Sequence, residues 1–176
     1  MRILVVTVSL ALSMFVARAV AQEPAPLRAG AASVSITPDF PTPMGGYFDR
    51  LGNFEGVSTP VHARALVAEH GGTTLVLVSL DLIGVSDELV GLARERITAA
   101  LGIPGDNVLI AATHDHSAPS GFVGMSIAGE SDEHRELTEF LLSRITEVVG
   151  GAHAALRPAV FGFGAGRVEG ITRNRQ

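Results

Sequence analysis

Residues Asn107–Gly121 read NVLIAATHDHSAPSG. The apolar run Val108–Ala112 predicts a buried strand, which stops at Thr113-His114-Asp115-His116. A loop of small residues, Ser117-Ala118-Pro119-Ser120-Gly121, follows at once. Side chains at i and i+2 of an extended segment share a side, so His114 and His116 are expected to project together from the end of a core strand. That is where α/β sheets place ligands. Neutral imidazole is the commonest metal ligand, and two on one side can bind or support a zinc ion. Asp115 is expected to face the other way and not to be a ligand.

Working outward, Ala29–Thr37 reads as a first strand, ended by Pro38-Asp39. Residues 40–59 are loop-like, with Pro41, Pro43 and Gly45-Gly46. Val61–His70 and Thr73–Asp81 are two strands, and Gly71-Gly72 between them is a two-residue hairpin signal. A helix is expected over Asp87–Leu101, capped by Ser86 and stopped by Gly102 and Pro104, with Leu89, Leu92, Ala93, Ile97 and Ala100 as its apolar stripe. Ser131 can cap a second helix, whose stripe runs through Leu137, Phe140, Leu141, Ile145, Val148, Val149 and Ala152. Ala159–Val168 is expected to return as a strand, and Gly162, Gly164 and Gly166 to admit close approach of another segment. The order β, ββ, α, β, α, β predicts an α/β layered domain with a mixed β-sheet and flanking helices.

The first residues read as a cleaved leader. Met1-Arg2 is a positive start, Ile3–Val16 an apolar stretch, and Ala19-Val20-Ala21 a small-x-small cleavage site. The apolar stretch is shorter than the roughly 20 residues a membrane span needs. Residues 1–21 are therefore taken as a signal peptide, 22–28 as a linker and 29–176 as the folded part. The product is expected in the periplasm or outside the cell. With Cys 0, no disulfide framework can staple it, and a hydrophobic core must hold it. All basic residues are arginine, and removing Arg2 and Arg18 leaves 11 of them against 18 acids. Such a surface disfavours nucleic acid and anionic lipid.

The remaining polar candidates have plainer readings. His62, His70, His134 and His153 are expected at the surface or solvated. Asp81, ending an apolar strand, can either orient a ligating imidazole or cap a turn. Tyr47 and Phe48 can line a substrate mouth or pack their loop onto the sheet.

The histidine pair departs from two His-x-His patterns. The metallo-β-lactamase pattern needs Asp and then His where this chain has Ala118 and Pro119, and the amidohydrolase barrels carry the pair on their first strand. By contrast, Thr-His-x-His-Ser-x-Pro-x-Gly at Thr113–Gly121 resembles the neutral/alkaline, non-lysosomal ceramidases. So, in order, do the opening strand AGAASVSITP at Ala29–Pro38, the loop Met44-Gly45-Gly46-Tyr47 and Ala63-Arg64-Ala65-Leu66. Ser79-Leu80-Asp81-Leu82 and Arg173-Asn174-Arg175 complete the series.

The resemblance implies a zinc hydrolase that splits the amide of ceramide into sphingosine and a fatty acid, its lipid substrate being presented at a membrane surface. It implies His114 as zinc ligand, His116 as a substrate-holding group, and Arg173 or Arg175 as hydrogen-bond donors to substrate. The family's other ligands (a His, a Glu and a Tyr) and its serine lie beyond the matching stretch, so residues 29–176 are expected to be the N-terminal portion of a larger catalytic domain, inactive alone. Ala118 and Ser120 stand where many ceramidases have glycine, and Gln176 where serine is common. Two other functions stay open: a zinc hydrolase of the same fold acting on another amide or ester, and a secreted, non-catalytic α/β binding domain.

Overall fold

A computed structural model describes residues 26–47, 50, 52–122 and 132–171. The leader at 1–21, Phe48, the Ser131 cap, Arg173 and Arg175 lie outside the described residues. Five strands form one sheet in the order β4-β3-β2-β1-β5. They are β1 (Arg28–Ser35), β2 (His62–His70), β3 (Thr73–Leu80), β4 (Val108–Ala112) and β5 (Arg157–Pro158). β2 pairs antiparallel with β1 and β3, while β4 lies parallel to β3. The sheet is therefore mixed, and the parallel pair is joined by a helical crossover, as a parallel connection requires.

Gly71 and Gly72 take φ values of 57° and 81°, and His70 pairs with Thr73. Two consecutive positive-φ residues match the right-handed twist of the flanking strands, so the hairpin forms at the expected place. Helix α1 (Asp87–Leu101) starts at Ser86, whose side chain accepts from the Leu89 N–H, and ends at a left-handed Gly102. Both signals were legible in the sequence. Arg94 then donates from Nε and Nη2 to the carbonyl of Val108 at 3.0 and 2.9 Å, tying α1 to the start of β4. Helix α2 (Asp132–Ala154) crosses β1 and β2.

Both helices cover one face of the sheet. Ala63, Ala65, Val67, Val76, Val78, Leu80 and Val108 meet Leu89, Ala93 and Ile97 of α1 and Leu137, Leu141, Ile145, Val148 and Val149 of α2. Strand residues alternate between faces, so the residues lying between these point the other way. There Leu66 pairs with Leu77 and Leu77 with Leu109, forming a row across three strands. These leucines are 43, 49 and 57 % exposed, so no described residue covers that face. No helix among the described residues is long and apolar enough to cross a membrane.

One expected element is corrected. Ala159–Val168 does not form a strand: only Arg157 and Pro158 pair with β1, followed by a last bond from Ala159 N–H to Leu27 O at 2.9 Å. Beyond it Val160, Phe161 and Phe163 are almost fully exposed. A Cβ built at Gly162, Gly164 or Gly166 meets nothing within 4 Å, so no described segment approaches them closely. Alternating glycines offer no side chain to pack and raise the entropy cost of ordering a strand, and the apolar residues between them find no partner face.

Candidate active site

The site lies where β3 and β4 end side by side. After β4 the chain stays zipped to the segment that follows β3: Thr113 N–H donates to Leu80 O at 2.9 Å, and Asp115 N–H to Leu82 O at 3.0 Å. Between these bonds His114 sits at φ 65°, the one non-glycine residue with positive φ among those described. The backbone here is thus not extended, and the histidines do not meet through strand alternation. A left-handed step at His114, followed by a turn in which Asp115 Oδ1 accepts from the Ser117 N–H at 2.7 Å, brings them together instead. Their rings are 5.0 Å apart at 79°, and their Nε2 atoms are 3.3 Å apart.

The two rings are oriented differently. His114 Nδ1 lies 2.8 Å from the carbonyl oxygen of Ile83. A carbonyl only accepts, so Nδ1 carries the proton and Nε2 presents a lone pair. A ligating histidine is ordinarily held by such a bond from its other nitrogen. His116 Nδ1, by contrast, is buried and has no hydrogen-bond partner among the described residues. The absence of an acceptor places the His116 proton on Nε2, where it makes a weak bond to the His114 lone pair.

A second loop walls His116. Gly46, at φ 107°, packs so closely that a Cβ there would fall 2.6 Å from His116 Cγ. Tyr47 meets the ring edge-on at 4.9 Å. This loop is fastened to the histidine loop by a bridge between Met44 and Pro119 and by Gly45 N–H donating to Ala118 O at 3.1 Å. Gly121 is likewise bridged to Val85 and accepts from the N–H of Ser86, so the start of α1 braces the same loop.

The other candidates lie elsewhere. Asp81 does not orient His114: its carboxylate accepts from the His62 N–H at 3.0 Å and from Arg64 at 2.9 Å to each oxygen. It is a strand-end cap. Asp115, Arg64 and Asp81 line a cavity of about 600 Å³ on the other side of the histidine loop, and neither histidine contributes to it. His70 is exposed at the hairpin, the opposite end of the sheet, and His134 is exposed on α2. Sequence reasoning missed three contacts: the Ile83 carbonyl on His114, the packing of Gly46 on His116, and the bond from Arg50 Nη1 to the main-chain oxygen of His116 at 2.7 Å. Of these only Gly45-Gly46 left a trace, as a pair of glycines beside the loop's tyrosine.

Among the described residues no three or more His, Cys, Asp or Glu side chains gather as a metal site. His114 fits a ligand by its tautomer, with an Nε2 lone pair engaged only by the weak contact from His116.

Comparison with known proteins agrees with this frame. The sequence model described as neutral/alkaline non-lysosomal ceramidase, N-terminal, matches residues 28–176. The neutral ceramidase of Pseudomonas aeruginosa is 32 % identical over 160 residues, covering 85 % of this chain and 23 % of that protein. Among solved structures, neutral ceramidase from Pseudomonas aeruginosa superposes with a TM-score of 0.65 at 29 % identity, covering 76 % of this chain and 22 % of that one. A ceramidase complexed with C2 superposes at 0.63 and 28 % identity with the same coverage. The chain thus spans less than a quarter of the length of these relatives. Matched over most of its length by that model and built on the same α/β frame, the chain belongs to the neutral/alkaline non-lysosomal ceramidase family.

Proposed function

We propose that this chain carries part of the active site of an exported, zinc-dependent amide hydrolase that cleaves ceramide to sphingosine and a fatty acid. The observation that supports the reading is the division of labour between two adjacent imidazoles. His114, with Nδ1 on the Ile83 carbonyl, offers Nε2 as a metal ligand. His116, with a buried and unpartnered Nδ1, offers an Nε2 proton.

A separation of 3.3 Å is also what two nitrogens sharing one tetrahedral zinc would show, about 3.3 Å for ordinary Zn–N distances. Ligation by His116 Nε2 would, however, require the proton on Nδ1, where it would be buried without an acceptor. His116 is therefore assigned as a donor to the substrate carbonyl and the oxyanion that develops from it. Bound zinc would supply Lewis-acid polarisation of the scissile amide. Its remaining ligands are assigned to residues outside those described. Arg173 and Arg175 are assigned to hydrogen-bond the polar head of a lipid substrate presented at a membrane surface.

The test is fatty-acid release from a fluorescent ceramide by the natural full-length product, alongside zinc analysis. Release that requires zinc and is lost in His114→Ala supports the reading. A zinc-loaded protein without release, or His114→Ala with full zinc and full activity, overturns it.

A further inference from the structure

His114 is anchored through its own ring, but His116 is not. Among the described residues its Nδ1 has no partner, and its Nε2 meets His114. The orientation of His116 therefore rests on the packing of Gly46 and Tyr47 against it. Whatever fixes that loop fixes the ring. One side chain gathers the relevant groups. Arg50 Nη1 donates to the main-chain oxygen of His116 at 2.7 Å and lies 3.5 Å from that of Gly45. The same guanidinium stands 4.9 Å over the Tyr47 ring. A charged donor makes a short, strong bond, and a planar guanidinium stacks on an aromatic face in a way an ammonium does not.

We propose that Arg50 is a positioning residue that clamps Gly45–Tyr47 onto His116 and so keeps His116 Nε2 turned toward Nε2 of His114. The inference rests on the donor role proposed for His116. Arg50 acts through that histidine; it does not touch the substrate. His114 has an anchor of its own outside the clamp, because its Nδ1 is held by the Ile83 carbonyl and the flanking Thr113 and Asp115 N–H groups bond Leu80 and Leu82. Losing Arg50 should therefore disturb one imidazole and spare its neighbour, which a general loss of structure would not do.

The test compares wild type, Arg50→Lys and Arg50→Gln in the natural full-length protein. Nitrogen-15 NMR of the neutral imidazoles reads the tautomer of each ring, with and without zinc. In Arg50→Gln, His114 should keep its Nδ1–H signature and the zinc stoichiometry should hold, while His116 moves from a single Nε2–H tautomer toward the averaged signal of a free imidazole. kcat should fall about 10-fold to 100-fold, the usual penalty of a misplaced group, with KM little changed. Arg50→Lys, which restores a charged donor but not the stacking, should recover part of kcat. Unchanged His116 signals in Arg50→Gln overturn the clamp. So does loss of zinc in parallel with kcat, which marks a merely structural role. If Arg50→Gln does not fold, Arg50→Lys decides: wild-type His116 signals with wild-type kcat overturn the proposal, and a shifted His116 beside an unshifted His114 upholds it. A wild-type protein with neither zinc nor hydrolysis defeats the proposed function, whereas the metal-free NMR comparison still judges the clamp.

Discussion

The ring of His114 is held by the carbonyl oxygen of Ile83, three residues past the end of β3, at 2.8 Å from Nδ1. The group that sets the tautomer is thus a main-chain atom, which no side-chain substitution deletes. Ile83→Ala is expected to cost stability, because Ile83 is only 7 % exposed. Truncating a buried isoleucine costs about 2–5 kcal/mol. Zinc affinity per folded molecule should nevertheless stay within about 3-fold, well short of the 10-fold to 100-fold that loss of an outer-shell partner brings. Urea melts and competitive zinc titration read the two effects separately.

His114→Ala and His116→Gln are expected to fail in different ways. The first removes the Nε2 lone pair proposed to hold the metal and should abolish stoichiometric zinc. The second should keep zinc while kcat falls about 100-fold to 1,000-fold, the usual loss for one oxyanion donor. Metal analysis beside steady-state kinetics separates them. Zinc lost equally from both variants would make His116 a ligand instead.

Gly46→Ala is expected to be damaging out of proportion to one methyl group. The new Cβ would fall 2.6 Å from His116 Cγ, and φ 107° is unfavourable for any side chain. Such strain costs about 1–3 kcal/mol. The ring must move if the protein folds at all, so kcat should drop while zinc at His114 persists. A variant with wild-type melting temperature and kcat would refute the close packing.

Asp81→Asn should leave zinc and kcat unchanged, since its carboxylate serves Arg64 and the His62 N–H and not the histidine pair. Arg64 is half exposed, so the ion pair itself contributes little. The expected loss is about 1 kcal/mol, mostly from the weakened strand-end bond, read by thermal or urea unfolding. A fall in zinc affinity would return Asp81 to the site.

What the sequence disclosed follows the range of the interactions involved. The Gly71-Gly72 turn, the Ser86 cap and the apolar stripe of α2 depend on near neighbours, and composition reports them. The stripe expected on α1 holds for Leu89, Ala93 and Ile97, whereas Leu92 and Ala100 are exposed, outside the narrower arc of this helix that the core covers. The Thr113–Gly121 loop was legible as a site because it joins a strand end to small residues and two histidines. Arg50 and His116 are 66 residues apart, and their bond ends on a carbonyl that every residue possesses. The partner of His114 is likewise a main-chain oxygen 31 residues away. No residue pattern announces such contacts. The misreading of residues 159–168 has the opposite cause: the alternation was present, but no facing surface among the described residues rewards it.

The left-handed backbone at His114 ties the choice of side chain to the handedness of the chain. Histidine, asparagine and aspartate enter that region far more readily than other residues with a side chain, and β-branched ones scarcely at all. Any attempt to build a ligand for a softer or harder ion at this position therefore begins with a short alphabet. A thiolate or a longer carboxylate placed at residue 114 must first overcome the local conformational preference, before its affinity for any metal counts.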